Sequence, residues 1–303
     1  MASWQAYLAT WILKRRFKPK LARARDVFEI RKVMQPAAYR IPRHVRITPD
    51  RVGGVRGEWI ETLKRFDITL LYLHGGGYVA CSVETHRPIT AGFAQQGFKV
   101  FAPEYRLAPE HVFPAAIEDA LAVYRALLEA GIESRKIVVA GDSAGGGLAL
   151  ALLLSLRDAG ARLPAACALF SPWTDLAATG ASIIENDRHC ALFRGANIGP
   201  TARYYLGQTD PRNPLASPLY ADLSGLPPLV IHVSADEVLR DDSLRIADRA
   251  RAAGLSVDLK IWPVVPHVWQ LAPILPEARE SLREAAEFLR AHIAMQASVG
   301  KAS

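Results

Sequence analysis

A serine lies at the centre of the run Gly141-Asp142-Ser143-Ala144-Gly145, between a predicted strand and a predicted helix. The run fits the pattern G-x-S-x-G, whose small residues permit a tight, strained turn that exposes the serine hydroxyl. The N-terminus of the following helix favours negative charge beside that hydroxyl. An ordinary helix N-cap would leave the strand-turn-helix context unexplained. The pattern therefore predicts that Ser143 is a nucleophile.

A glycine run, His74-Gly75-Gly76-Gly77-Tyr78, follows a predicted apolar strand at Thr69 to Leu73. Consecutive glycines bring backbone N–H groups close to a bound molecule, and such donors stabilise the negative charge that acyl transfer builds on a carbonyl oxygen. We assign this oxyanion hole to Gly75, Gly76 and Ala144. The run lacks the Gly-Lys-Ser/Thr ending of a nucleotide-binding loop, which argues against phosphate binding.

A serine nucleophile needs an acidic residue and a histidine, which in α/β-hydrolases follow it along the chain in that order. Asp236 comes after the predicted strand Leu229 to Val233, at the carboxyl end where sheet enzymes assemble their sites. We predict Asp236 as the acid, with Glu237 as the main alternative. Asp241 and Asp242 fit better as charges at the start of the next helix.

His267 follows the predicted strand Ser256 to Trp262 through a turn that contains proline, again at the carboxyl end of the sheet. A histidine in such a loop, downstream of the acid, suits a general base. Five other histidines fall in helices, a strand, a proline-rich loop or the region after Pro172: His86, His111, His189, His232 and His292. We therefore predict His267 as the base.

Strand and helix patterns alternate from residue 69 onward. Apolar strands are predicted at Thr69 to Leu73, Lys99 to Ala102 and Lys136 to Ala140, with helices between them. This alternation predicts the α/β class, with a mostly parallel sheet covered by helices on both faces. The alternation stops after Pro172, and residues 176–226, rich in Gly, Pro and Asn, indicate an inserted lid.

The first fifty residues differ from the rest in composition. They are predicted to be helical until Pro36, Pro42 and Pro49 interrupt them, with a first strand at His44 to Ile47. They carry twelve Lys or Arg against three Asp or Glu, a net charge of +9, whereas the remainder carries −2. Four aromatic residues lie in the same stretch: Trp4, Tyr7, Trp11 and Phe17.

Two interpretations of this basic segment stay open. One is a helix that contacts a membrane surface; the other, which we favour, is an amphipathic helix packed over the main domain with a solvated basic face. The apolar run Trp4 to Leu13 precedes the cluster Lys14-Arg15-Arg16, the reverse of the order in a secretory signal, which predicts a cytoplasmic protein. No run of about 18 apolar residues occurs.

The cysteines argue against two other classes of site. Cys81, Cys167 and Cys190 are far apart and form no C-x-x-C pair. A disulfide framework and a cysteine-rich metal site are therefore not expected.

Together these residues resemble the bacterial hormone-sensitive-lipase family of esterases, whose members carry HGGG ahead of the nucleophile. Five stretches carry the resemblance from about Leu71 onward: His74-Gly75-Gly76-Gly77-Tyr78, Tyr105-Arg106-Leu107-Ala108-Pro109-Glu110, Gly141-Asp142-Ser143-Ala144-Gly145-Gly146, Asp236 to Asp242, and His267. The resemblance implies an α/β-hydrolase core that hydrolyses short to medium acyl esters without a metal or organic cofactor.

The resemblance also implies a helical cap, made from the N-terminal segment and an insertion after the sixth strand. The expected parts are a cap segment at 1–45, a first part of the core at 46–175, a cap insertion at 176–210 and a second part of the core at 211–303. The expected partner is a small ester and not a nucleic acid. An edge strand near the C-terminal end of the sheet is a candidate surface for a homodimer.

Two departures from the family pattern concern the site. Family members often have Asp-Pro-Leu where this chain has Asp236-Glu237-Val238, and His-Gly-Phe where it has His267-Val268-Trp269. The second places a bulky Trp269 near the acyl pocket, and we assign Tyr78 and Trp269 to substrate binding. The alternatives to a short-chain esterase are a lipase for longer or membrane-associated esters and a non-catalytic receptor of the same fold.

Overall fold

The computed structural model describes residues 2–35, 39–63 and 67–299, with side chains described as far as residue 294. Eight strands form one sheet: β1 Val45–Val52, β2 Val55–Thr62, β3 Thr69–Leu73, β4 Lys99–Pro103, β5 Ile137–Asp142, β6 Cys167–Phe170, β7 Leu229–Ser234 and β8 Val257–Trp262. Their spatial order is β1-β2-β4-β3-β5-β6-β7-β8. Strands β3 to β8 run parallel, and β2 is antiparallel to both of its neighbours. The predicted α/β architecture is confirmed.

Helices connect the strands and cover both faces of the sheet. They are α1 Trp4–Ile12, α2 Lys18–Ala22, α3 Val27–Val33, α4 Arg87–Gln95, α5 Ala115–Glu129, α6 Ala144–Asp158, α7 Ser182–Glu185, α8 Ile198–Leu206, α9 Arg240–Ala252 and α10 Pro276–Val299. One turn of π-helix, Leu13–Phe17, joins α1 to α2. None of the described helices combines the length and hydropathy needed to cross a bilayer.

The core divides along the sheet because successive side chains of a strand point to opposite faces. In β3, Leu71 and Leu73 pack in the cluster that includes α5 and α6. Leu70 and Tyr72 pack in the cluster that includes α4 and α10. The whole of β3 is buried, as expected for a strand between two helical layers.

The strand predicted at His44 to Ile47 is longer than expected and continues through Pro49 to Val52. Pro49 lies opposite Glu58 of β2, so the expected interruption at this proline is wrong. The reason is that β1 forms the edge of the sheet, where a residue without an N–H group breaks no ladder on its outer side. Pro36 lies outside the described residues.

Two basic side chains fasten the N-terminal helices to the rest of the protein. The Lys18 ammonium donates to the carbonyl oxygens of Asp187 and Cys190, in the segment between β6 and β7. The Arg31 guanidinium donates to the Val79 carbonyl oxygen at 2.7 Å and pairs with Glu110 at 2.6 Å. The N-terminal helices thus contact both the β6–β7 insertion and the loop that follows the glycine run.

Candidate active site

Ser143 occupies the sharp turn between β5 and α6. Its φ of 52° and ψ of −123° are values that residues with a side chain rarely adopt. Four backbone hydrogen bonds hold the turn. The Ser143 N–H donates to the Phe170 carbonyl oxygen at 2.8 Å, and the Ser143 carbonyl oxygen accepts from the N–H groups of Gly146 at 3.0 Å, Gly147 at 3.2 Å and Trp173 at 2.8 Å. The strained turn predicted for the nucleophile is therefore present, and the serine is 6% exposed.

The glycine run lies directly against this turn. A Cβ atom on Gly145 would overlap the carbonyl groups of Leu73 and His74, so only glycine lets α6 approach the end of β3 this closely. A Cβ atom on Gly75 would lie 3.1 Å from the Ser143 Cβ. The two motifs that the sequence singles out are therefore neighbours in space.

Asp142 is a buried carboxylate that joins the glycine run to the interior. Its Oδ1 accepts from the Tyr72 hydroxyl at 2.5 Å and from the Gly75 N–H at 3.1 Å, and its Oδ2 lies 3.2 Å from His86 Nε2. Burial alone would raise the pKa of Asp142, but the His86 ring and the hydrogen bonds from His86 and Tyr72 together lower that pKa. Asp142 therefore fixes the first glycine of the run.

This contact bears on the predicted oxyanion hole. The Gly75 N–H is committed to Asp142, which argues against Gly75 as an oxyanion donor. The N–H groups of Gly76, Gly77 and Ala144 donate to no group in the described part of the chain. For Ala144 the reason is its position at the start of α6, where an N–H has no partner within the helix.

His74 shapes the glycine run from its first position. Its Nδ1 lies 2.7 Å from the Gly75 carbonyl oxygen, and its ring stacks on Tyr105 with centroids 4.3 Å apart. The Tyr105 hydroxyl donates to the His74 carbonyl oxygen at 2.6 Å. Burial lowers the pKa of His74 to about 3, so its ring is neutral. These contacts are those of a residue that organises the loop.

The carboxylate that contacts His267 is Glu237, not the predicted Asp236. His267 Nδ1 lies 3.3 Å from Glu237 Oε1, and both side chains are buried. Glu237 Oε2 also accepts from the Ser171 hydroxyl at 2.8 Å and from the Ser234 N–H at 3.3 Å. Asp236 is only half-buried, and in the described part of the chain its N–H donates to the Ser234 hydroxyl while its carboxylate has no hydrogen bond to His267.

The physical reason for this correction is the turn after β7. The Asp236 N–H donates to the Ser234 hydroxyl at 3.3 Å, and the Ser234 N–H donates to the Glu237 carboxylate at 3.3 Å, so the third residue after β7 folds back against the end of the strand. A sequence signal for this position exists. When the family's Asp-Pro-Leu is aligned on Leu239 instead of Val238, the acid falls on Glu237.

His267 Nε2 is buried and has no hydrogen-bond partner among the described residues. The Phe193 ring packs edge-on against the imidazole, with centroids 4.9 Å apart. His267 Nε2 and the Ser143 hydroxyl form no hydrogen bond with each other in the described structure, and such catalytic contacts commonly tighten only with bound substrate. The four site residues follow the carboxyl ends of adjacent strands: Ser143 follows β5, Ser171 follows β6, Glu237 follows β7 and His267 follows β8.

The two predicted substrate-binding aromatics lie in different places. Tyr78 is buried and stacks on Tyr205 of α8, with centroids 3.8 Å apart. Trp269 is also buried, but its indole N–H donates to the Glu277 carbonyl oxygen at 3.1 Å and its ring packs with Trp262 and Ala6. Trp269 therefore belongs to the packing between α1 and α10, and the expectation that it lines the acyl pocket is not supported.

Residues 70–271 match a family model described as alpha/beta hydrolase fold. An acetyl-hydrolase of Streptomyces hygroscopicus is 46% identical over 241 residues, which cover 79% of this chain and 81% of the relative. An esterase of Acinetobacter venetianus is 37% identical over 247 residues, with 80% of this chain and 82% of the relative covered.

In the described residues, no group of three His, Cys, Asp or Glu side chains could hold a metal ion.

Solved structures agree with these relatives. An esterase/lipase from an uncultured bacterium superposes with a TM-score of 0.92 at 37% identity, covering 97% of this chain and 100% of the other. An esterase from the bacterial hormone-sensitive lipase family superposes with a TM-score of 0.89 at 40% identity, with the same coverage. The chain therefore belongs to the α/β-hydrolase fold family, as a carboxylesterase of the bacterial hormone-sensitive-lipase group.

Proposed function

We propose that Ser143, His267 and Glu237 form the catalytic triad of this carboxylesterase. The observation that carries the proposal is the state of the His267 ring: Nδ1 faces a buried carboxylate, and Nε2 is buried without a partner. A carboxylate at Nδ1 fixes the tautomer that leaves Nε2 able to accept a proton, and it stabilises the imidazolium that follows. Ser143, on its strained turn, supplies that proton.

The reaction then proceeds in two halves. His267 Nε2 takes the Ser143 proton as Oγ attacks the ester carbonyl carbon, and the carbonyl oxygen becomes an oxyanion. When this intermediate collapses, the bond to the alcohol oxygen breaks and the imidazolium protonates the departing alkoxide. A water molecule, deprotonated by His267, attacks the acyl-enzyme, and the carboxylic acid leaves as Ser143 regains its proton.

Backbone donors beside Ser143 would hold the oxyanion. Because the Gly75 N–H is taken by Asp142, we assign this role to Gly76, Gly77 and Ala144. Donors that are fixed before the reaction need no reorganisation as charge develops, and removal of one such donor costs about 3 to 4 kcal/mol. Asp142 contributes indirectly, because it fixes the glycine next to the donors.

We propose short to medium acyl esters as substrates. The side chain of Thr201 in α8 lies 3.2 Å from where a Cβ atom of Gly77 would be, and Tyr205 of the same helix stacks on Tyr78. Helix α8 thus covers the glycine run, as part of a cap built from residues 1–45 and 176–210. We expect this cover to limit the length of the acyl group that can bind. The acetyl-hydrolase relative favours a small acyl group.

The test is a series of initial rates on p-nitrophenyl esters from acetate to palmitate, with wild type and Ser143→Ala. We expect the rate to be highest for short chains and to vanish in the variant. Ser155→Ala is the matched control, because Ser155 lies on the same helix and its hydroxyl donates to the Ala151 carbonyl oxygen, one turn earlier in that helix. Substantial turnover by Ser143→Ala would overturn the proposed nucleophile.

A second candidate substrate class is esters of longer acyl chains held in a membrane. The observation that favours it is the row of large apolar side chains exposed on α1. In the same rate series, a maximum at palmitate that requires aggregated substrate would favour this alternative over the short-chain proposal.

A further inference from the structure

Helix α1 contacts the rest of the protein through its small side chains. Ala6 is completely buried and packs in a cluster with Trp262 and Trp269. At the start of the helix, the N–H and hydroxyl groups of Ser3 donate to the Glu277 carboxylate at 2.6 and 2.9 Å. These contacts fix which face of α1 points inward.

The opposite face of α1 carries the large apolar side chains. Four of them, each between 47% and 71% exposed, form what we call the aromatic stripe: Trp4, Tyr7, Leu8 and Trp11. Positions i, i+3, i+4 and i+7 lie on one side of a helix, and in a surface helix such a side normally faces the core. Here the arrangement is reversed, because alanine packs inward and the stripe faces out.

Positive charge continues directly from the stripe. Lys14, Arg15 and Arg16 are exposed and pair with no acid among the described residues. The Arg15 guanidinium lies 5.9 Å from the centre of the Trp11 ring, so cation and aromatic occupy the same side of the helix. Residues 1–50 carry a net charge of +9 in a chain whose total is +7.

We propose that the aromatic stripe and the Lys14-Arg15-Arg16 cluster form a docking surface for an anionic lipid bilayer. Tryptophan and tyrosine favour the interfacial level of a bilayer, and neighbouring cations bind its anionic headgroups. A second copy of the chain fits this surface less well, because two such faces would bring like charges together. The proposal is independent of the triad, since none of these residues belongs to the proposed catalytic machinery.

Docking through this surface would bring the active site near the lipid. On its inner side, α1 touches the loop that carries the proposed base: the Thr10 hydroxyl donates to the Val264 carbonyl oxygen at 3.4 Å. Ala6 packs with Val265 and Trp269, on either side of His267 in sequence. Esters dissolved in the bilayer would then be the substrates closest to Ser143.

The experiment is flotation of the full chain with two kinds of vesicle, phosphatidylcholine alone and phosphatidylcholine with about one third phosphatidylglycerol. We expect the protein to float with the anionic vesicles and not with the neutral ones. Rising salt should release it, because ions screen exposed charges. The same measurement on Ser143→Ala separates this proposal from the proposed function, since lipid binding should survive the loss of turnover.

Two pairs of variants test the two parts of the surface. Trp4→Ser/Trp11→Ser should weaken binding by about tenfold or more. Its control is Leu63→Ser. Leu63 is 92% exposed and follows β2, at the amino ends of the parallel strands, whereas Ser143 lies at their carboxyl ends. Arg15→Gln/Arg16→Gln should weaken binding by about 25-fold. The control is Arg125→Gln/Arg162→Gln, which removes the same amount of positive charge from two exposed arginines outside the docking surface.

Circular dichroism and the rate on p-nitrophenyl acetate should be unchanged in all these variants, which shows that they fold. The proposal is overturned if wild type fails to float with anionic vesicles, or if Trp4→Ser/Trp11→Ser floats as well as wild type. It is also overturned if sedimentation shows a dimer that Trp4→Ser/Trp11→Ser dissociates, since a second copy would then cover the stripe.

Discussion

Two buried carboxylate–histidine pairs lie on either side of Ser143 and look alike at first. Asp142 lies 3.2 Å from His86, and Glu237 lies 3.3 Å from His267. The difference is at the far nitrogen of each ring: His86 Nδ1 lies 2.7 Å from the Thr85 hydroxyl, whereas His267 Nε2 has no partner in the described structure. A carboxylate beside a ring whose other nitrogen is already hydrogen-bonded fits a structural role, whereas a carboxylate beside a ring with an unpartnered nitrogen fits the proposed base.

The largest difference is expected when both histidines are changed to the same residue. His267→Gln should lower kcat by about 10⁶-fold, because the proton acceptor is lost. His86→Gln should keep kcat within about tenfold of wild type and reduce the free energy of unfolding, since a hydrogen bond to buried Asp142 is weakened. Steady-state kinetics and urea unfolding measure the two effects, and equal losses of kcat would refute the distinction.

The two adjacent acids after β7 provide the next largest effect. Glu237→Gln should lower kcat by about 10⁴-fold, because the neutral amide no longer fixes the tautomer or stabilises the imidazolium. Asp236→Asn is the matched control and should leave kcat near wild type, since Asp236 does not contact His267. The reverse pattern in kinetics on p-nitrophenyl acetate would restore Asp236 as the acid.

The choice between Asp236 and Glu237 also shows the limit of prediction from the sequence alone. The strand-turn-helix context located Ser143, and the order of elements located His267, because both depend on patterns that extend over many residues. The family pattern can be aligned on Val238 or on Leu239, so it leaves both Asp236 and Glu237 open, and the direction of the backbone after β7 distinguishes them. That direction is set by packing, through the contacts of Glu237 with Ser171 and Ser234.

Packing decided two further details that residue types left open. The engagement of the Gly75 N–H by Asp142 depends on a side chain 67 residues away in sequence. The orientation of α1 was likewise not evident, because an apolar stripe usually faces the core, whereas here the buried position belongs to Ala6. Small residues in a helix therefore need to be considered as packing candidates beside the large ones.

A smaller effect is expected at the supporting carboxylate. Asp142→Asn should lower kcat by about tenfold to a hundredfold with little change in KM. The amide keeps the shape but offers a donor to groups that are themselves donors, so the Gly75 loop shifts relative to Ser143. The split between kcat and KM is the readout; a change confined to KM would mean that Asp142 acts on substrate binding instead.

The smallest expected effect is on the pH dependence of the unfolding free energy, through the neutral His74 ring. Because the folded-state pKa of His74 is about 3, against about 6.5 when unfolded, its contribution to stability is present above pH 6.5 and lost as the pH falls toward 3. His74→Asn should therefore remove about 2 kcal/mol of the fall in unfolding free energy between pH 7 and pH 5. Urea unfolding at both pH values checks this; an unchanged difference would contradict it.

Labelling with phenylmethylsulfonyl fluoride, followed by peptide mass spectrometry to locate the adduct, tests whether His267 activates Ser143. The reagent sulfonylates a serine whose proton a neighbouring base removes. We expect a single adduct on Ser143 in wild type, and almost none in His267→Gln over the same time. An adduct on a different residue, or equal labelling of Ser143 in His267→Gln, would contradict it.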